Sequence, residues 1–212
     1  MEPFTRLTSV ACPLPSANID TDQLVPARFM STPRAAGYGR FLLHDRRFDA
    51  AGVPTGTLAL DRPERRGAMI LVAKRNFGCG SSREAAVYAL VDFGIRCVIA
   101  PSFGEIFAGN SLGNGLLTAR VTEVEADALL AALDVGLREL CVDLEQQTIS
   151  APDLADLAAP VRFAIDPAAR LRLLNGWDDI ALTQSFAGEI AAWTGRDAVD
   201  RTWVKPPHRR AD

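Results

Sequence analysis

No run of about 18 or more uncharged apolar residues occurs in the 212-residue chain, so no segment reads as a membrane span. Met1 to Cys12 carries Glu2 and Arg6 without a continuous apolar core, which argues against a secretory signal. Histidine is scarce, with only His44 and His208, and the four cysteines (Cys12, Cys79, Cys97, Cys141) include no C-x-x-C pair. Those spacings fit neither a zinc finger nor a local iron–sulfur run. The expectation is free thiols in a reducing cytoplasm, and metal chemistry, if any, would need ligands from elsewhere. An excess of one charge is also missing. Lys plus Arg is 23 against 26 for Asp plus Glu, a net charge of −3, and no long basic stripe offers itself to a nucleic acid. The short basic stretch Lys205, His208, Arg209, Arg210 follows two prolines and reads as a frayed terminus. There is no internal repeat and no low-complexity tract.

With 48% hydrophobic and 23% charged residues the composition is that of a globular protein, and at about 100 to 200 residues per domain the length allows one compact domain with an appendage. From Ala68 to Ala119 short apolar runs alternate with helical patterns, the signature of a layered βαβ core. Strands are expected at 68–73, 95–100 and 115–121, and helices at 83–93, 103–111 and from Thr122 to about Leu133, with Gly94 ending the first helix. Residues 137–144 and 147–150 have hairpin character, 161–165 reads as a strand, and 167–175 and 178–193 read as helices. Residues 31–66 hold Pro33, Gly37, Gly39, Gly52, Pro54, Gly56 and Pro63 and follow neither period, which suggests a functional flap or binding loop. The expected organisation is a domain over 1–165, a helical extension over 166–200 and a disordered tail over 201–212.

Three stretches could carry chemistry. Asn76-Phe77-Gly78-Cys79-Gly80-Ser81-Ser82-Arg83-Glu84 lies between a strand and a helix. Its glycines permit close backbone approach, and helix N–H groups with a guanidinium suit a carboxylate or phosphate. Ser81-x-x-Glu84 is equally a capping box, in which the serine only satisfies a backbone N–H. The stretch is neither a P-loop nor G-x-G-x-x-G nor a nucleophile elbow. Asn18-Ile19-Asp20-Thr21-Asp22 sets two carboxylates two residues apart, facing the same way if extended, or forms a plain Asx-turn. Pro101 to Ser111, followed by Asn114, reads as a strand end, a helix entry and an amide-rich turn.

Taken together, in this order and separation, Asn18 to Asp22, Asn76 to Glu84, Ile99 to Phe103, Ile106-Phe107 and Asn110-Ser111 resemble the small-subunit family of 3-isopropylmalate dehydratases (isopropylmalate isomerases), the swivelling domain of the aconitase superfamily. The resemblance runs from about Thr5 to Ala192. It implies an α/β fold, a swivelling β/β/α three-layer domain with a mixed, mostly parallel sheet and a helical C-terminal extension, whose helix carrying Arg83 begins at Ser81 or Ser82. It also implies a hydro-lyase of two subunits in leucine biosynthesis, inactive without its large subunit. In such a pair the large subunit holds a [4Fe–4S] cluster through three cysteines, and the small subunit closes over it and binds no cofactor of its own. By position Ser81 resembles the base that removes a proton α to a carboxylate, Arg83 the group that stabilises its alkoxide and binds substrate, and Asp22 a carboxylate of the same network. Ser82, Gly80 and Arg34 resemble groups that bind a small dicarboxylate, and the Met30 to Arg40 loop would face its variable substituent. Ala85 stands where the family often has histidine. The residues leave open a related diacid, of 2-methylmalate or homoaconitate type, and a non-catalytic partner-binding module.

Overall fold

The computed structural model describes residues 1–151 and 159–204. Its contacts divide into two compact units, Met1–Gly176 and Trp177–Asp212. In chain order the first unit contains β1 (Arg6–Leu14), α1 (Thr21–Leu24), α2 (His44–Arg47), β2 (Ile70–Ala73), α3 (Glu84–Phe93), β3 (Cys97–Ala100), α4 (Glu105–Gly113), β4 (Leu117–Arg120), α5 (Glu123–Asp134), β5 (Glu139–Asp143), β6 (Thr148–Ser150), β7 (Val161–Arg162) and α6 (Pro167–Asn175). The second contains α7 (Asp179–Ser185) and α8 (Ala187–Asp200), joined through Phe186 where a single helix is expected over 178–193. Of the expected disordered tail, residues 205–212 lie outside the described residues, and Thr202–Val204 forms a 3-10 turn.

Seven strands make one sheet in the order β4-β3-β2-β1-β5-β6-β7. The pairs β1/β2, β2/β3 and β3/β4 are parallel and the pairs β1/β5, β5/β6 and β6/β7 antiparallel. The parallel part is therefore half of the mixed sheet, because β5 and the hairpin after it extend the free edge of β1. The sheet curls far enough for Ala164, just past β7, to bridge Arg120 at the end of β4, with N···O distances of 2.8 and 3.3 Å.

The central strand β1 is the element that composition hides. Its sequence, RLTSVACPL, lacks a clean alternation, and Pro13 argues against a central position. Its pairing explains the tolerance. The ladder with β5 ends at Val10, and Ala11 N–H still reaches Arg138 O at 2.8 Å on that side. Pro13, two residues on, points the same way past the end of that ladder, so its missing N–H breaks no bond.

Period-2 alternation divides the core. Ile70 and Val72 join Cys97, Ile99, Leu117, Ala119, Leu140, Val142, Ile149 and Val161 on a face to which all seven strands contribute, where α5 inserts Ala126, Leu129, Leu130 and Leu133. Leu71, Ala73, Val98 and Ala100 point to the other face, under α3. Thr122 and Glu125 form a full capping box that fixes where α5 starts. Gly94, at φ 108, ends α3 as expected.

Residues 31–66 are irregular, as their composition suggests, and packed. They run through several 3-10 turns and α2, with Tyr38, Phe41, Leu42, Leu43, Leu58 and Leu60 buried in the core cluster that also holds the inner face of α3. Arg65 is 7% exposed and donates to Ala11 O (2.9 Å), Leu137 O (2.8 Å) and Leu133 O (2.6 Å). Its charge sits against carbonyls at the C-terminal end of α5, where a helix favours a cation.

Candidate active site

The three chemistry-bearing stretches leave the sheet at the same end. They follow β1, β2 and β3, just beyond the carboxyl ends of the parallel strands, where open α/β sheets place their ligands. Backbone bonds stitch them side by side. Gly78 N–H donates to Ile19 O (2.7 Å), Thr21 N–H to Cys79 O (2.9 Å), Phe77 N–H to Ser102 O (3.0 Å) and Gly104 N–H to Phe77 O (2.9 Å). Asn18 and Asn76 both adopt positive φ, 56 and 61, and are tied by an Asn76 Nδ2 to Asn18 Oδ1 bond of 2.9 Å. Left-handed backbone is tolerated best by glycine and asparagine.

Between these segments lies a cleft of about 160 Å³ whose wall includes Thr21, Cys79, Gly80, Ser81, Arg83 and Glu105. Gly78 (φ 71) has no room for a side chain, since an added Cβ would fall 2.2 Å from the Phe107 ring. Gly80, at φ 94, provides the turn that carries the chain out to Ser81.

The helix does not begin where the serines suggest. Its N-cap is Arg83, with extended backbone (φ −134, ψ 108) and no side-chain cap, and α3 starts at Glu84. The capping-box alternative for Ser81 is thereby excluded. The reason is tertiary: the buried Thr21 hydroxyl donates to Ser81 O at 2.8 Å and draws the serine out of helical register. Ser81 and Ser82 are exposed before the helix, and neither hydroxyl makes a hydrogen bond among the described residues.

The two aspartates separate in role because Thr21–Leu24 is a helical turn and not an extended strand. Asp20 caps that turn, with Oδ1 accepting from Gln23 N–H at 2.6 Å. Asp22 instead pairs with Arg83, whose side chain is 20% exposed against 54% for the aspartate. A carboxylate-binding guanidinium thus stands two residues from an uncommitted hydroxyl.

Arg34 is not brought to this group. Its guanidinium pairs with both oxygens of Asp92, Nη2 to Oδ1 at 2.7 Å, near the C-terminal end of α3, and its Cζ lies 4.3 Å from the centre of the Tyr88 ring. Sequence reasoning missed three supports: Thr21, Gly104, and Ser102, whose Oγ accepts from Asn76 N–H at 2.8 Å. All three lie within the motifs, but only the folded contacts distinguish them from ordinary turn residues.

All four cysteines are free thiols, with Cys12, Cys97 and Cys141 buried and Cys79 at the cleft. Cys12 and Cys97 belong to opposite faces of the sheet, and Cys141 accepts a bond from Arg6 Nε at 3.1 Å. The four thiols are not gathered at one place among the described residues. Among the described residues no three His, Cys, Asp or Glu side chains are placed to hold a metal ion, and no helix is long and apolar enough to cross a membrane.

A sequence model of the aconitase C-terminal domain matches residues 1–124. The chain belongs to the aconitase C-terminal domain family. Within this family it is 44% identical over 205 residues to the 3-isopropylmalate dehydratase small subunit of Phenylobacterium zucineum, covering 97% of this chain and 99% of that one. It is 45% identical over 205 residues to the subunit of the same name from Rhodospirillum centenum, covering 96% and 99%. The crystal structure of a 3-isopropylmalate dehydratase from Methanocaldococcus jannaschii shares the fold, with a TM-score of 0.60 at 21% identity over 88% of this chain and 98% of that one.

Proposed function

We propose that this chain is the small subunit of a 3-isopropylmalate dehydratase. It is a cytoplasmic protein that works with a large subunit carrying a [4Fe–4S] cluster and interconverts 2-isopropylmalate and 3-isopropylmalate for leucine biosynthesis. The observation that carries the reading is the juxtaposition of Ser81, free of any capping role, with the Arg83–Asp22 pair at one end of the parallel strands.

In this reading Arg83 takes a substrate carboxylate in place of part of its contact with Asp22, and Gly80 and Ser82 supply polar contacts along the same edge. The Ser81 oxygen accepts the proton from the carbon next to a carboxylate, and hydroxide leaves the neighbouring carbon to give the alkene. Rehydration returns the proton from Ser81 to one carbon and adds hydroxide to the other, with the two positions exchanged. A serine oxygen is a usable base only where its charge is stabilised, and one oriented donor in a dry site is worth about 3 kcal/mol. Asp22 holds Arg83 in place while the site is open. Arg34 serves in the packing of its loop, and its expected contact with substrate is not part of this reading.

The test is anaerobic turnover of the chain mixed with a cluster-loaded large subunit, on 2-isopropylmalate, 3-isopropylmalate and 2-methylmalate in parallel. Preference for the isopropyl diacids is expected, and Ser81→Ala should abolish turnover with complex formation intact. Preference for 2-methylmalate would reassign the substrate. Turnover near wild type in Ser81→Ala would overturn the role of the serine.

A further inference from the structure

We infer that Thr21 is a positioning residue for the reaction: its hydroxyl, assisted by Asn114, keeps Ser81 and Arg83 out of a competing helix register that would take both from the cleft; this rests on the dehydratase reading. The competing register is written in the sequence. Ser81-x-x-Glu84 meets the rule for a capping box, and a helix capped by Ser81 would begin at Ser82, ahead of the observed start of α3 at Glu84. In that register Ser81 O accepts the first intrahelical bond, from Ala85 N–H. Ser81 Oγ accepts from Glu84 N–H, and the Glu84 carboxylate accepts from Ser81 N–H.

Two residues distant in sequence hold those acceptors elsewhere. Thr21 is 2% exposed, and its hydroxyl donates at 2.8 Å to Ser81 O, the carbonyl that the first helical bond would use. Thr21 cannot follow a moving serine, because its N–H is tied to Cys79 O at 2.9 Å and its carbonyl accepts from Val25 N–H at 3.0 Å. At the other end of the box Asn114 Nδ2 donates to Glu84 Oε1 at 2.9 Å, and the same nitrogen is anchored on Asn110 O at 2.9 Å. Both halves of the box are engaged, and α3 starts without a side-chain cap. A cap favours its register by about fivefold or more, so the observed register persists only while these bonds outweigh it. Arg83 is where register meets chemistry. It is the extended residue ahead of the helix, at ψ 108, and from there it pairs with Asp22, the next residue after Thr21. Inside a first helical turn its ψ would be about −42, which turns the guanidinium off Asp22 and draws Ser81 back onto the helix end. Thr21 lines the same cleft as Ser81 and Arg83, so this control acts at the site itself.

Thr21→Val keeps the shape and removes the donor, Thr21→Ser keeps the donor, and Asn114→Ala frees Glu84. Amide hydrogen exchange of the full chain, followed by NMR, reads the register directly, because the Glu84 N–H has no side-chain acceptor in the observed one. In Thr21→Val its exchange should slow by about fivefold or more with native circular dichroism, while Thr21→Ser exchanges as the wild type does. In the assembled enzyme Thr21→Val should raise KM for 3-isopropylmalate by about fivefold with kcat within about twofold, since saturating substrate restores the register in which Arg83 meets it. Thr21→Ser should restore the wild-type KM. Asn114→Ala should move both readouts the same way by about twofold, and it takes the place of Thr21→Val if that variant loses its native spectrum. Glu84 exchange that is unchanged in Thr21→Val and Asn114→Ala, or slowed equally in Thr21→Ser, overturns the competition between registers. Slowed exchange with an unchanged KM, or with a fall in kcat alone, overturns the positioning role. Inactivity of the wild-type complex on the isopropyl diacids overturns the dehydratase reading and the positioning role with it, while the exchange result still reads the register.

Discussion

Gly104→Ala puts a methyl carbon 2.3 Å from the Gly78 carbonyl oxygen, 3.0 Å from the Gly78 carbonyl carbon and 3.2 Å from Cys79 Cα. All three atoms are backbone, so no side-chain rotation relieves the overlap. Gly104 itself has φ −59 and ψ 133, which alanine adopts freely, so the effect is steric and not conformational. Restoring a carbon–oxygen separation of about 3.3 Å requires the two turns to part by about 1 Å. Overpacking of this kind costs about 1–3 kcal/mol. The same displacement lies two residues from Gly80 and three from Ser81, and a misplacement of about 1 Å costs on the order of a hundredfold in rate. Urea unfolding of the chain and turnover of the assembled complex measure the two effects separately. Gly109→Ala is the control, because an added Cβ there meets nothing within 4 Å. In the interior of α4 it should stabilise by about 1 kcal/mol and leave turnover unchanged. Gly104→Ala with kcat within about threefold of wild type would refute the claim that the Gly78–Gly104 contact sets the site's geometry.

Arg65→Met removes a buried guanidinium and orphans three carbonyl oxygens, so the unfolding free energy should fall by about 3 kcal/mol in a urea titration; a change under about 0.5 kcal/mol would contradict the pinning role. Burial pushes the Cys12 thiol up to about 12 from an ordinary value of 9.0 and lifts that of Cys97 as well. Both are held neutral, so their contribution to stability is complete below about pH 9 and is lost as pH rises from 9.0 toward about 12. Thermal melts across that range should show the decline, and Cys12→Ala with Cys97→Ala should flatten it. Iodoacetamide on the folded chain should modify Cys79, at the cleft, before any of the three buried thiols, as peptide mapping would read.

Where a signal is local, residue order alone was enough to read it. The run Ile70–Ala73 alternates between two buried faces, Gly94 marks the end of α3, and Thr122 with Glu125 marks the start of α5. The motif residues Asp22, Ser81 and Arg83 were grouped by the resemblance that their motifs carry; in the fold Ser81 and Arg83 line one cleft and Asp22 pairs with Arg83. β1 was not legible, because its acceptability as a central strand with Pro13 depends on where the neighbouring ladder ends.

The register of Ser81 could not come from sequence either. Ser81-x-x-Glu84 satisfies the local rule for a capping box, and a bond from Thr21, sixty residues earlier, decides against it. Arg34 illustrates the same limit, since a loop arginine is identified by what it reaches, and it reaches Asp92. Sequence by itself determined the layered α/β class, most elements and the chemistry available, because periodicity, caps and side-chain functionality are properties of neighbours in the chain. Tertiary structure alone decided which strand is central, which serine is left uncapped and which arginine faces the cleft, because each of those depends on hydrogen bonds between residues distant in sequence.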